Sequence, residues 1–425
     1  MYIWRSTTVP MRRLKVIIFA LLLCPALFFH ARALQDAQND AQQPAASVSA
    51  APSATPAAVP SATPDPVYYP DVRSAFDKVD GEERKILLSF VGDCTLGCNE
   101  RDHGNKKSIE AYIDNYGYDY CFSRVRSILE QDDLTVANFE GTLHDSPAGI
   151  NKKTYNFRSD PGYVNILKSG SVEAVTLGNN HTGDYGTAGF EDTTRTFAEN
   201  GISWFGSTDF SAQSYIYENG NVRIGFVGAN ITYYWQNTEK IKTLMAQLDE
   251  AGCALTIAVI HGGVEYDQRH DANQTRMAQR FIDWGADIVV GHHPHRLQGY
   301  EVLSGVPVFY SLGNFVFGGN FNLKSKYTAI VQFALSFDAD GHYMGYQSNV
   351  IPCRLSPDET INYYQPFPIT GREAELAIKE IQRDTKKFWP ISNYVEGIGS
   401  LQPYTAYQPA QTASPSPAPS LSPAP

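Results

Sequence analysis

"VVGHHPHRLQ", Val289 to Gln298, places three histidines within four positions, directly after an apolar run and around a proline. The chain has ten histidines in 425 residues, so this concentration calls for a reason. In open α/β sheets, sites form at the carboxyl ends of strands. An apolar run of strand length that ends in imidazoles fits that rule. His293-Pro294-His295 reads as an extended segment, with both side chains on one side and the proline limiting the bend. His292 reads as a passenger.

The same pattern recurs along the chain. Apolar runs of strand length stand at Ile86–Val91, Leu134–Ala137, Val172–Leu177, Val222–Val227, Leu255–Ile260, Ile288–Val290 and Val308–Leu312. "KIKTLMAQLDEAG" and "QTRMAQRFIDWG" are amphipathic stretches that stop at Gly252 and Gly285, each just before such a run. Helix, glycine stop and strand make an αβ unit. "TAIVQFALSF" and His342–Ile351 alternate, as antiparallel strands do. The strand ends are polar: Asp93; Asn138 and Glu140; Asn179, Asn180, His181 and Asp184; His261 and Glu265; His292, His293 and His295; Ser311 and Asn314. One polar turn is unremarkable, but six in register argue for a shared edge. Asp, Glu, Asn and His together suit divalent ions such as Mn, Fe or Zn. The candidates exceed the four that one tetrahedral ion uses, which favours two ions.

Taken in order, "GDCTLG", "NFEGTL", "GNNHTGDYG", "HGGVEY", "GHHPH" and "SLGNF" resemble the poly-γ-glutamate capsule synthesis protein family of metallophosphatase-like proteins, from Ile86 to Val350. The resemblance implies an α/β fold of the calcineurin-like phosphoesterase type: a four-layer α/β/β/α sandwich of two mixed sheets, with a di-metal centre on one edge. It implies Asp93, Glu140, Asn180, His261, His293 and His295 as metal ligands, Glu140 bridging. It implies His181 as the acid beside the leaving oxygen, with Asp184 orienting its ring. The usual Asp-Xaa-His of the first motif is Asp93-Cys94-Thr95 here, so that histidine is missing and Glu265 is its candidate replacement. Arg158 in "NFRSDP" and Asn314 are candidate contacts to an anionic substrate. The chemistry expected is hydrolysis at an ester or amide-like centre by metal-acidified water. The substrate is a phosphoester or an anionic envelope polymer such as poly-γ-glutamate, and capsule synthesis or export proteins are expected partners. A second reading is a non-catalytic, metal-containing envelope factor that binds such a polymer and assists its assembly or export. A zinc peptidase is excluded by the lack of any His-Glu-Xaa-Xaa-His run.

The ends of the chain point to the cell envelope. Arg12, Arg13 and Lys15 precede the 14-residue apolar run Val16–Phe29, and Ala31-Arg32-Ala33 offers a cleavage site. Residues 1–33 therefore read as a signal peptide for export. Kept as an anchor, the run would reach roughly 21 Å across a core of roughly 30 Å. Residues 34–66 and 402–425, rich in Ala, Pro and Ser, read as disordered spacers around a domain at 67–401. The balance of 45 acidic to 34 basic residues argues against broad nucleic-acid binding. Beyond the signal, Cys94, Cys98, Cys121, Cys253 and Cys353 are too few for a disulfide scaffold, and Cys94-Xaa3-Cys98 is at most a zinc half-site.

Overall fold

The computed structural model describes residues 71–385, 394–395 and 397–408. The expected signal peptide and the 34–66 spacer lie outside the described residues. Along the chain run strands β1 (Arg84–Thr95), β2 (Leu134–Phe139), β3 (Ala174–Thr176), β4 (Ser203–Ser207), β5 (Tyr215–Asn219), β6 (Val222–Asn230), β7 (Leu255–His261), β8 (Ile288–His292), β9 (Tyr300–Leu303), β10 (Val306–Phe309), β11 (Asn314–Phe317), β12 (Tyr327–Phe337) and β13 (Tyr343–Arg354). The longer helices are α1 (Ile109–Tyr116), α2 (Gly186–Asn200), α3 (Thr238–Glu250), α4 (Ala272–Asp283) and α5 (Gly371–Arg383).

The strands make two mixed sheets. In the first, β3, β2 and β1 run parallel, and β12 and β13 continue it antiparallel. In the second, β6, β7, β8 and β10 run parallel between antiparallel β5 and β9. β4 joins them, parallel to β3 and touching the end of β6 through Ser207 and Ala229.

Side-chain alternation sorts the layers. Ile86, Leu88 and Phe90 of β1 pack with Phe226, Ile257 and Val290 of the second sheet. Leu87 and Val91 point the other way, into a core with Ile109, Ile128, Leu167 and Phe197 from the helical side. On the far face, Val227, Ala258 and Val289 meet Ile241, Met245, Met277 and Phe281. The result is the expected order of helices, sheet, sheet, helices. Each fully buried side chain of this size contributes about 1.5–3 kcal/mol.

α4 shows how locally the sequence specifies its parts. Met277, Ala278, Phe281 and Ile282 form its buried stripe. Asp271 accepts from the amides of Asn273 and Gln274, and the Gln274 side chain accepts from the Asp271 amide. Such a capping box stabilises a helix start by about 1 kcal/mol.

One end departs from expectation. The spacer was expected from Gln402, yet Thr405–Ala406 pairs antiparallel with β13, and the rest of that expected spacer, from residue 409, lies outside the described residues. The Gln402 amide donates to Ser348 O and the Tyr407 amide to Met344 O. Composition flagged this stretch as polar and proline-rich, yet Tyr404 and Tyr407 give it aromatic surface. Tyr407 packs on Tyr343 at 4.9 Å between ring centroids. Among the described residues, no helix is long and apolar enough to cross a membrane.

Candidate metal centre

The centre follows from strand register. Near its carboxyl end β1 breaks register between Phe90 and Asp93 and takes β11 as a new parallel neighbour. Gly92 permits this approach, since a Cβ there would lie 2.0 Å from Gly313 O. Asp93 then sits level with Asn138 of β2 and Asn314 of β11. In the second sheet, Asn230, His261 and His292 are level across β6, β7 and β8. Two polar rows, one per sheet, meet at one edge of the sandwich.

Their side chains converge. Asn138 Nδ2 lies 2.8 Å from Asp93 Oδ1, 3.0 Å from Glu140 Oε1 and 3.2 Å from His261 Nδ1. His292 Nδ1 lies 3.2 Å from Asp93 Oδ1. His295 Nδ1 lies 3.0 Å from Asp93 Oδ2 and donates to Asn314 Oδ1 at 2.8 Å. That fixes the tautomer and leaves Nε2 for a ligand. His261 Nε2 meets Asn180 Oδ1 at 2.7 Å. Within each of two sets, Asp93, Glu140 and His261, and Glu265, His293 and His295, the ligand atoms all lie within 4.8 Å of one another.

These groups fit divalent ions. Three acceptors share one amide nitrogen that carries two hydrogens. Glu140 Oε2 and His293 Nδ1 are buried without a hydrogen-bond partner, a costly state that a cation would relieve. Charge tells the same story. Burial opposes ionisation of Asp93, yet His292 and His295 hold its carboxyl well below the usual range. Burial, and then the charge of Asp93, push Glu140 well up. Burial lowers His261 well below the ordinary imidazole value. Burial and the neighbouring His295 bring His293 down to about 4. Against burial, Glu140 and Asp93 raise His295 to about 9. Without an ion, protonated His295 stands against the Asp93 carboxylate in a site built largely from acceptors.

The expected residues fare differently. Asp93, Glu140, Asn180, His261, Glu265, His293 and His295 are brought together. His181 and Asp184 form the expected pair, with Nδ1 and Oδ2 at 2.7 Å. Asp184 also accepts from Lys153 Nζ and the Phe157 amide, both at 2.8 Å, so its carboxylate is fixed. His181, Glu265 and His295 line one opening with Tyr155, Tyr266 and Lys324.

Four readings change. The His293–His295 segment is not extended: φ is 99° at His293 and 56° at His295. Such conformations cost about 1–3 kcal/mol each and gather at functional sites. The strand stops at His292, and the turn is held by the Tyr266 amide donating to Pro294 O at 2.8 Å. His292 is no passenger, for it is 2% exposed and set against Asp93. Asn314 holds His295, where a substrate contact was expected. Arg158 is a strut: its guanidinium donates to Glu100 at 3.1 and 3.2 Å and to the carbonyls of His144 and Asp145. Asn138 was not singled out as a site residue. Its signal was the two-residue spacing to Glu140, which puts both on one side of an extended strand.

The family model described as "Bacterial capsule synthesis protein PGA_cap" matches residues 87–319, more than half of the chain. This chain belongs to that family. As a PGA_cap protein it is 30% identical over 329 residues to "Capsule biosynthesis protein CapA" of Bacillus anthracis, covering 72% of this chain and 75% of the relative. It is 27% identical over 343 residues to "PGA biosynthesis protein CapA" of Bacillus subtilis (strain 168), covering 76% and 83%. Among solved structures, a "novel phosphatase" of Mycoplasma pneumoniae aligns at 13% identity with a TM-score of 0.37, over 66% of this chain and 96% of the other. The matched span contains every residue of both ligand sets.

Proposed function

We propose that this PGA_cap protein is an exported, metal-dependent hydrolase that acts in capsule or cell-envelope polymer synthesis, on an anionic polymer of the poly-γ-glutamate type or on a phosphoester. The observation that carries the reading is the meeting of two ligand sets, drawn from both sheets, beside an opening lined by Glu265, His295 and the His181 that Asp184 holds. Asp93, Glu140, His261 and Asn180 would hold one divalent ion, and Glu265, His293 and His295 the other, with Mn, Fe or Zn suited to the donors. Two such ions supply acidified water and neutralise charge developing on the reacting centre. The protein's own steps are these. Asn314 and Asp93 fix the His295 ring. Asp184 holds His181 by Nδ1, so that Nε2 gives a proton to the leaving oxygen. Lys324 at the opening draws an anionic substrate in. The basic and apolar segment ahead of Ala33 supports export, and capsule synthesis proteins are the proposed partners.

A second reading, a non-catalytic factor that binds the polymer through metal, is favoured by one observation. Thr95 stands where the first motif usually has a histidine, and its Oγ1 is buried without a partner. Purified protein loaded with manganese and assayed on chromogenic phosphomonoesters, phosphodiesters and γ-glutamyl amides separates the two. Turnover that His181→Ala abolishes supports hydrolysis. Full metal loading without turnover of any of them supports the binding factor.

A further inference from the structure

Away from the two ligand sets at the strand ends, Cys98, His103 and Glu110 bring a sulfur, a nitrogen and an oxygen within 4.8 Å of one another. All three come from one stretch of chain. Cys98 lies on the short strand Cys98–Asn99, paired antiparallel with Phe157 and Arg158. His103 follows the turn Glu100–Asp102, and Glu110 is in the first turn of α1. Cys98 Sγ is 3.5 Å from His103 Nδ1, which is 2.5 Å from Glu110 Oε1. His103 Nε2 is buried without a hydrogen-bond partner, 3.5 Å from Glu100 Oε2. The thiol is 1% exposed and in no disulfide.

The buried thiol shares both partners of that pair, standing 3.5 Å from His103 Nδ1 and in hydrogen-bond contact with the Glu110 carboxylate, so a sulfur, a nitrogen and an oxygen face one another. Burial, with the carboxylate of Glu110 adding to it, pushes that thiol up from its ordinary value. A divalent cation reverses this, since it binds the thiolate and neutralises the carboxylate. The spacing agrees. Zinc–sulfur and zinc–nitrogen bonds of about 2.3 and 2.0–2.1 Å at a tetrahedral angle put the two ligand atoms about 3.5 Å apart. That is the Cys98–His103 separation, and only the Glu110 carboxylate has to swing back. Cys94, the other half of the Cys-Xaa3-Cys spacing, is turned to Gly92 O and takes no part.

We propose that Cys98, His103 and Glu110 form a second, zinc-selective site, its fourth position taken by water. A thiolate selects zinc or cobalt over manganese, whereas the donors at the strand ends are all nitrogen and oxygen. The ion clips the stretch from Cys98 to α1 onto the strand at Phe157–Arg158. Phe157 packs against the His181 ring at 4.4 Å between centroids, and Glu100 holds both Arg158 and Tyr185. The site thus braces the wall behind His181 without lending a ligand to the centre. The proposal stands apart from the hydrolase reading and survives its failure.

The test is cobalt titration of the full chain after chelator treatment. Thiolate-to-cobalt charge transfer absorbs in the near ultraviolet and reports only a sulfur ligand. We expect the band to saturate at one cobalt per chain, to vanish in Cys98→Ser, and to persist in Cys253→Ser and His293→Ala. Zinc content should fall by one per chain in Cys98→Ser. Glu110→Gln, which keeps the shape, should weaken cobalt binding at least about tenfold. If Cys98→Ser does not fold, the wild-type band and Glu110→Gln decide. No band in the wild type, a band that survives Cys98→Ser, undiminished binding in Glu110→Gln, or a band that His293→Ala removes overturns the proposal.

Discussion

The two ligand clusters differ in how the chain assembles them. The strand-end centre draws on residues from Asp93 to Asn314, delivered by both sheets through register. The Cys98–His103–Glu110 cluster spans thirteen residues and needs one turn and the start of one helix. The first is set by the whole fold, so Asp93, Glu140, His261 and His295 are buried at a cost that long-range packing offsets. The second is set by a short loop, so losing its ion should loosen that loop and little else. Buried donors held by tertiary structure can carry strain and perturbed charge.

The sharpest contrast lies within the centre. His181→Ala should lower turnover about 10²–10⁴-fold while metal content and melting temperature stay put. His293→Ala should lower metal content and melting temperature together, because binding is linked to folding. Activity, elemental analysis and calorimetry on the two variants check this. If His181→Ala sheds metal as His293→Ala does, the division of labour collapses.

The next effect is one of sign. Without metal, His295 titrates at about 9, above the 6.5 of an ordinary imidazole. A raised folded value means stability fully present below pH 6.5 and lost as pH rises through about 9, worth about 3 kcal/mol in all. With metal bound, His295 is already deprotonated and that loss disappears. Metal-free protein should therefore lose melting temperature between pH 6.5 and 9 more steeply than loaded protein. Asp132, raised to about 8 by burial, falls in the same direction in both forms and cancels in the difference. Parallel curves would show that metal replaces neither the His295 proton nor that of Glu140, which burial and Asp93 also raise.

Asp184→Asn is smaller again. It keeps the shape but weakens the hold on His181, and such outer partners cost about 10–100-fold. A loss of metal, with turnover per bound metal unchanged, would move Asp184 from orienting the acid to supporting the centre.

Most of the centre was legible in the sequence where chemistry and periodicity coincide. Strand-length runs ending in Asp93, Glu140, His261 and His292 marked the sheet edge, and Gly252 and Gly285 marked helix ends that the structure keeps. What sequence could not show was register. Only pairing reveals that Asn138 and Asn314 flank Asp93, or that His292 stands level with His261. Nor could it show that Glu100 engages Arg158, because a guanidinium looks the same in sequence beside a substrate as beside a carboxylate. The left-handed turn at His293 was hidden because proline after a residue usually signals extended chain.

The smallest effect concerns the docked end. Removing residues after Leu401 should lower the melting temperature by about 2–4 °C, since the Gln402 and Tyr407 amides lose partners on β13. Removing residues after Gln408 should change it by less than about 1 °C. Equal losses would place the docking further along the chain.

The most direct measurement is an anomalous-difference map from crystals grown with manganese, collected at the manganese edge. Two peaks are predicted about 3.5–4 Å apart, one beside Asp93, Glu140 and His261 and the other beside Glu265, His293 and His295, with none at Cys98. A map without peaks at the strand ends, in crystals that elemental analysis shows to contain manganese, would contradict the di-metal centre.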